Sequence, residues 1–115
     1  MGESVIDKAV YAELQETAGA EFVDELLDTF LEDASAMLAE LRSACAENHA
    51  DRFRRAAHSL KTNAKTFGAV QLAALARDLE LKGLDADPVR DEAALAALEV
   101  EYTRAAAALD DLRNA

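Results

Sequence analysis

The sequence predicts an all-α fold, and three observations support this prediction. Ala and Leu, which favour helices, dominate an apolar fraction of 51 %, whereas aromatic residues make up only 5 %. No segment alternates polar and apolar residues for the length of a strand. Apolar residues recur every three or four positions instead, as on one face of a helix. A chain of 115 residues is expected to form one domain, residues 1–115, around a single core.

The first two predicted helices cover residues 5–16 and 21–47. Gly19 separates them, at a position suited to the left-handed backbone that often ends a helix. The second helix carries an apolar stripe with the spacing of a core-facing helix, formed by Val23, Leu26, Leu27, Phe30, Ala34, Met37, Leu38, Leu41 and Cys45. The single thiol, at Cys45, is therefore expected to be buried and unreactive.

Three further helices are predicted over residues 52–67, 70–82 and 88–112. Asp51 is a suitable N-cap for the first of them, and Asp87 can cap the last, in which Pro88 takes the first helical position. The four longer amphipathic helices are joined by short loops. We expect them to pack as an antiparallel up-down four-helix bundle, with the short N-terminal helix across one end.

Charge and hydropathy exclude several classes of function. A net charge of −11 argues against nucleic-acid binding, which needs a cationic surface. No uncharged run is long enough to cross a membrane, and no cationic leader precedes an apolar run as in a secretory signal. A cytoplasmic monomer is the expectation, because the apolar faces are sufficient to close one core.

The charge is distributed unevenly along the chain. Residues 52–77 contain six of the 12 basic side chains and none of the 23 acidic ones. A protein this acidic that has no carboxylate in such a long segment is expected to present that segment to a negatively charged partner.

A helical wheel of residues 52–67 separates a buried face from a cationic one. The buried face is formed by Phe53, Ala56, Leu60, Ala64 and Phe67. On the opposite side His58 lies among Arg54, Arg55, Lys61, Thr62 and Lys65. No acid is expected to pair with these cations, and no second titratable group is expected to converge on His58. His49 lies in the preceding loop and off this face, which argues against a metal pair.

Two interpretations of His58 compete at this point. An ordinary surface histidine is the simpler one. However, like charges one turn apart destabilise a helix by a few tenths of a kcal/mol for each pair. A helix that keeps four cations around one imidazole is therefore expected to use them for an external ligand.

Three segments resemble the histidine-containing phosphotransfer (HPt) domain family. The segment Ala57-His58-Ser59-Leu60-Lys61-Thr62-Asn63-Ala64-Lys65-Thr66-Phe67-Gly68-Ala69 is similar to its signature, in which lysine follows the histidine by three residues and glycine by ten. The flanking segments 21–34 and 72–80 are similar to the helices before and after the histidine. The family often has glycine at the position of Thr62, whose hydroxyl could bond the ring or a phosphoryl oxygen.

The resemblance implies a phosphorelay intermediate. His58 would accept a phosphoryl group at Nε2 from a phospho-aspartate receiver domain or a kinase and pass it to a response-regulator aspartate. Lys61 and Lys65 would complement phosphoryl charge, while Arg54, Arg55 and Thr62 would contact the partner. Leu60 and Gly68 would serve the structure of the motif.

No kinase activity of its own is expected, because the sequence has no Gly-rich nucleotide loop and no room for an ATP-binding domain, and no bound cofactor or metal is expected. Receiver domains of response regulators or hybrid histidine kinases would be the partners, and they would supply the Mg²⁺ ion. Two alternatives remain open. One is an HPt-like adaptor that binds receiver or kinase domains without accepting phosphate. The other is a helical interaction module whose basic face binds an unrelated acidic protein.

Overall fold

A computed structural model describes residues 5–84 and 87–114 of the chain. Within these residues it contains five helices and no strand, which confirms the all-α prediction. The helices are α1 (Lys8–Ala18), α2 (Ala20–Ala46), α3 (Ala50–Thr66), α4 (Val70–Lys82) and α5 (Pro88–Arg113). In the part of the chain that is described, no helix is long and apolar enough to span a membrane.

The start of α1 differs from the prediction that it begins near residue 5. Asp7 has an extended backbone, and its carboxylate accepts hydrogen bonds from the N–H groups of Ala9 (3.1 Å) and Val10 (3.5 Å). Asp7 is thus an N-cap, because its side chain satisfies N–H groups that have no partner inside the helix. The helix accordingly begins at Lys8.

The start of α3 corrects the prediction that Asp51 is its N-cap. The cap is His49, whose Nδ1 accepts a hydrogen bond from the Arg52 N–H at 3.3 Å. Asp51 lies one residue inside the helix, where a carboxylate interacts favourably with the positive end of the helix dipole. The cap of α5 is as predicted: Asp87 accepts from the Val89 N–H at 3.0 Å, and Pro88 follows it.

The buried side chains of all the helices form one hydrophobic cluster. The predicted core face of α3 is buried along its whole length: Phe53, Ala56, Leu60, Ala64 and Phe67. The Phe67 ring stacks on that of Phe30 in α2, with ring centroids 5.0 Å apart. Cys45 is half-buried and not fully buried as predicted, because Ala44 takes the core position, and burial raises the pKa of the thiol.

Arginine side chains bridge α2 to its neighbouring helices. Arg42 contacts Glu99 of α5 at 2.6 Å and Glu92 at 2.8 Å. Arg52 of α3 contacts Glu40 of α2 at 2.6 Å and also Glu47, at 3.0 Å. Because guanidinium–carboxylate pairs with several hydrogen bonds are geometrically specific, these contacts favour the observed placement of α3 and α5 on α2.

Gly68 joins the turn after α3 to the beginning of α1. Its carbonyl accepts a hydrogen bond of 2.7 Å from the Asp7 N–H, and its φ of +76° is one that side chains rarely adopt. A Cβ atom here would lie 2.8 Å from the Asp7 carbonyl oxygen and 3.1 Å from the Val10 Cβ. Glycine is therefore required for this close approach of α1 to the end of α3.

Candidate functional site

His58 lies in the middle of α3, on the face that points away from the core. Its side chain is 56 % exposed, as the helical wheel predicts. Two residues on, Leu60 is completely buried, and so is the preceding Ala57. The backbone that carries the imidazole is therefore held by packing on the opposite side, while the ring itself faces solvent.

Glu80 of α4 contacts the imidazole. Its Oε2 lies 2.6 Å from His58 Nδ1, and its Oε1 accepts a hydrogen bond of 2.7 Å from Lys61 Nζ. The Glu80 side chain is only 16 % exposed, because it lies between α3 and α4. The predictions that no acid pairs with the cationic face and that no titratable group converges on His58 are therefore wrong. A wheel of one helix does not show a carboxylate that the next helix brings to it.

The Glu80 carboxyl is held in its ionised form. The hydrogen bond from Lys61 lowers its pKa below the ordinary value, the bond to His58 lowers it further, and partial burial opposes both. An ionised carboxylate can only accept hydrogen bonds, so His58 Nδ1 keeps its proton and donates a hydrogen bond to Glu80. In the neutral ring this leaves the lone pair on Nε2, which has no hydrogen-bond partner among the described residues.

The four cations around His58 are not equivalent. Lys61 is engaged with Glu80 and is only 20 % exposed. Arg54 and Arg55 are exposed and share the Asp51 carboxylate, at 2.8 and 3.1 Å. Lys65 is exposed and forms no ion pair with any residue in 5–84 or 87–114. Asp51 therefore also contradicts the prediction of an acid-free face, and its i, i+3 and i, i+4 spacing was visible in the sequence.

Thr62 follows His58 by one helical turn. Its hydroxyl donates a hydrogen bond of 3.1 Å to the His58 carbonyl oxygen. The hydroxyl therefore does not bond the imidazole ring, because its proton is used within α3. That it bonds a phosphoryl oxygen stays a prediction. The side chain is exposed beside the imidazole. It can contact a partner, but it contributes no donor in this arrangement.

A groove of about 490 Å³ runs between α2 and α3 next to the histidine face. Its lining is apolar at the base, with Met37 and Ala56, and charged at the rim, with Glu40 and Arg55. Ser59, the residue after His58, belongs to the same lining. The groove therefore extends the exposed surface of the site towards α2.

The site presents a single imidazole to solvent. No group of three or more His, Cys, Asp or Glu side chains comes together in the described part of the chain. His49 caps α3 from the preceding loop and does not contact His58. What the site offers is one oriented, solvent-facing imidazole nitrogen beside several cations.

Comparison with known proteins gives one family and one solved structure. The family model of the Hpt domain matches residues 25–115. The fold is similar to the crystal structure of histidine-containing phosphotransfer protein B from Pseudomonas aeruginosa PAO1, with a TM-score of 0.83 and 30 % sequence identity. That similarity covers 98 % of this chain and 97 % of the other. No curated protein matches the sequence.

Proposed function

Since the chain belongs to the Hpt domain family, we propose that it is a phosphorelay intermediate in two-component signalling, with His58 as the phosphorylated residue. It would accept a phosphoryl group from a phospho-aspartate receiver domain or a kinase and pass it to a response-regulator aspartate. The observation that carries the proposal is the 2.6 Å contact between His58 Nδ1 and Glu80 on an exposed imidazole, which favours the neutral tautomer that has its lone pair on Nε2. His58 is thereby prepared as a nucleophile without any ligand bound.

The transfer step follows from this orientation. The Nε2 lone pair forms the N–P bond while the P–O bond of the donor acyl phosphate breaks, and that electron pair leaves on the donor carboxylate. The Nδ1 proton stays hydrogen-bonded to Glu80. In the second transfer, the acceptor aspartate attacks phosphorus. The N–P bond breaks, and its electron pair returns to Nε2. The pre-set orientation of the ring lowers the entropic cost of reaching an in-line geometry.

Each cation has a separate part in this proposal. Lys65, which is exposed and has no ion pair with a described residue, complements charge on the phosphoryl group and on the acidic pocket of the partner. Lys61, which is hydrogen-bonded to Glu80, complements the same charge. Arg54, Arg55 and Thr62 lie at the rim, where they would contact the receiver and steer its approach.

The chain is a carrier and not an autonomous kinase in this proposal. Its partners are receiver domains of response regulators or hybrid histidine kinases, and these supply the aspartate and Mg²⁺. The helices also support the finer architecture that we infer, a single domain containing an antiparallel four-helix bundle. Tyr102 of α5 donates to the Leu31 carbonyl oxygen of α2, and Arg113, at the end of α5, contacts Asp28 near the start of α2. We infer a monomer located in the cytoplasm.

The test is phosphoryl transfer from a phosphorylated receiver domain in the presence of Mg²⁺. The wild type should acquire an acid-labile label, and His58→Gln should acquire none. The matched control is His49→Gln, which removes the other histidine of the chain and should still be labelled. Label on His58→Gln, or none on the wild type with several receivers, would contradict the proposal.

One structural observation favours the adaptor as a second candidate. Thr62 places a side chain one turn from the imidazole, where the family often has glycine. An adaptor would bind a receiver domain in a direct binding assay and never become labelled. Thr62→Gly would then restore labelling if crowding of the ring were the reason.

A further inference from the structure

Glu80 is the one carboxylate that touches the reactive ring in the described structure, and it touches the nitrogen that does not react. The proposed transfer step does not need it after Nε2 has been oriented. Glu80 contacts Nδ1 whereas the phosphoryl group would bond Nε2, so phosphorylation does not compete for the atom that Glu80 contacts. Its effect on the phosphorylated ring is therefore a separate question.

We propose that Glu80 retains the proton on Nδ1 of phosphorylated His58 and so keeps the phosphoryl group transferable. This inference rests on the proposed function. When Nε2 bonds to phosphorus, the ring holds a proton on Nδ1 and carries a positive charge. Cleavage of the N–P bond then returns the bonding electron pair to Nε2 and releases a neutral imidazole, which is a good leaving group. If Nδ1 had lost its proton, the same cleavage would release an imidazolate anion, which is a poor one.

The charged groups around the ring decide whether the proton stays. On α3 itself Arg54, Arg55, Lys61 and Lys65 are all cationic and favour its loss. On the α2 side, Asp33 and Glu40 line the groove beside the histidine face, and Glu40 is paired there with Arg52. On α4, Arg77 lies one turn before Glu80 and is also cationic. Asp51 is paired with Arg54 and Arg55, and among the described residues only Glu80 places a carboxylate at hydrogen-bond distance from the ring itself.

Lys61 stabilises the contact between Glu80 and the imidazole. It bonds the oxygen of Glu80 that does not face the ring, at 2.7 Å, and helps to keep the carboxylate ionised. The carboxylate is also largely shielded from water, which strengthens its attraction for the Nδ1 proton. Glu80 is thus a positioning residue: it acts on the phosphoryl group only through the imidazole.

The experiment uses phosphoramidate as a small phosphoryl donor, which makes it independent of any receiver. Wild type, Glu80→Gln and Asp78→Asn are phosphorylated, and the decay of phosphohistidine is followed by ³¹P NMR from pH 5 to 9. Glutamine can still accept a hydrogen bond from Nδ1 but lacks the charge. Asp78→Asn makes the same change of charge on α4, on the side that faces the groove towards α5.

The pH at which the bond becomes stable should fall by about one unit in Glu80→Gln and should not move in Asp78→Asn, since an adjacent opposite charge typically shifts a titration by about 1–3 units. Between the two midpoints, the bond in Glu80→Gln should last up to about tenfold longer, because one unit corresponds to a factor of about ten. Return transfer to a receiver should slow by the same factor. Identical profiles for all three proteins would overturn the inference.

A measurement on the wild type alone covers the case in which Glu80→Gln does not fold. The ¹⁵N shift of Nδ1 in the phosphorylated protein should indicate protonation to a higher pH than in a phosphorylated histidine peptide. Equal titration curves for the protein and the peptide would overturn the inference. The proposed function would stand, because His58 would still be phosphorylated. If the wild type never became phosphorylated, both the proposed function and this inference would be refuted.

Discussion

Replacement of Gly68 by alanine tests the contact between α1 and the end of α3. The backbone at φ +76° disfavours any side chain, at a cost of about 1 kcal/mol relative to glycine. The added Cβ would in addition lie 2.8 Å from the Asp7 carbonyl oxygen, which belongs to the backbone and cannot rotate away. The beginning of α1 must then withdraw, which weakens the 2.7 Å bond from the Asp7 N–H to the Gly68 oxygen.

The loss of that hydrogen bond contributes about 0.5–1.5 kcal/mol. Together with the backbone strain and the displaced packing, we expect Gly68→Ala to lose about 2–4 kcal/mol of unfolding free energy. For a chain of this size that corresponds to a fall in Tm of about 8–16 °C. Urea unfolding followed by circular dichroism at 222 nm measures the free energy, and a thermal scan measures Tm.

Gly83→Ala is the matched control. Gly83 also has a positive φ, +66°, but a Cβ there would meet no atom within 4 Å. It should therefore lose only the backbone contribution, about 1 kcal/mol. If the two variants were equally destabilised, the close approach of α1 would contribute nothing, and our account of Gly68 would be refuted. Below its Tm, Gly68→Ala should still accept phosphate, because His58 and Glu80 lie away from this turn.

Two further predictions concern charge. Hydrogen bonds to Arg42 lower the pKa values of Glu92 and Glu99. Both carboxylates therefore stabilise the fold at a pH above the ordinary pKa of glutamate. This stabilisation is lost as the pH falls from that ordinary pKa to the lowered one. The urea concentration at the unfolding midpoint should accordingly decrease as the pH is lowered below about 4.5. It should decrease less steeply with pH in Arg42→Met, and the same steepness in both proteins would contradict this. Lys65→Met should slow transfer from a receiver several-fold at low salt, and much less at high salt. Lys82→Met, on the side of α4 that lines the groove towards α5, is its control, and an equal effect of both would show that only net charge matters.

The exposure of His58 was predictable because it depends on one helix. The rotation of about 100° per residue places residues of a helix on its faces without knowledge of the rest of the fold. The ion pairs of Asp51 with Arg54 and Arg55 follow from the same local geometry, since Asp51 lies three and four residues before these arginines. The N-cap at His49 was missed because Asp is the commoner cap and stood two residues away.

Glu80 was harder to predict because its position depends on how α4 packs against α3. One signal was present nevertheless. Glu80 follows the buried residues Ala73 and Ala76 by seven and four positions, which places a carboxylate in phase with an apolar stripe. Such a charge at the boundary of the core needs a partner on the neighbouring helix, since burying an unpaired charge is unfavourable. Lys61 and His58 are those partners.

The cationic side chains around His58 also make the surface charge of the molecule uneven. The protein as a whole carries a net charge of −11, yet Lys65, Arg54 and Arg55 stand exposed on one side. A uniformly negative sphere would repel an acidic protein equally from every direction. An approaching acidic protein would instead turn towards the histidine side, because that side attracts it while the opposite side repels it. Encounters would therefore be oriented before contact is made, and two acidic proteins could still meet face to face.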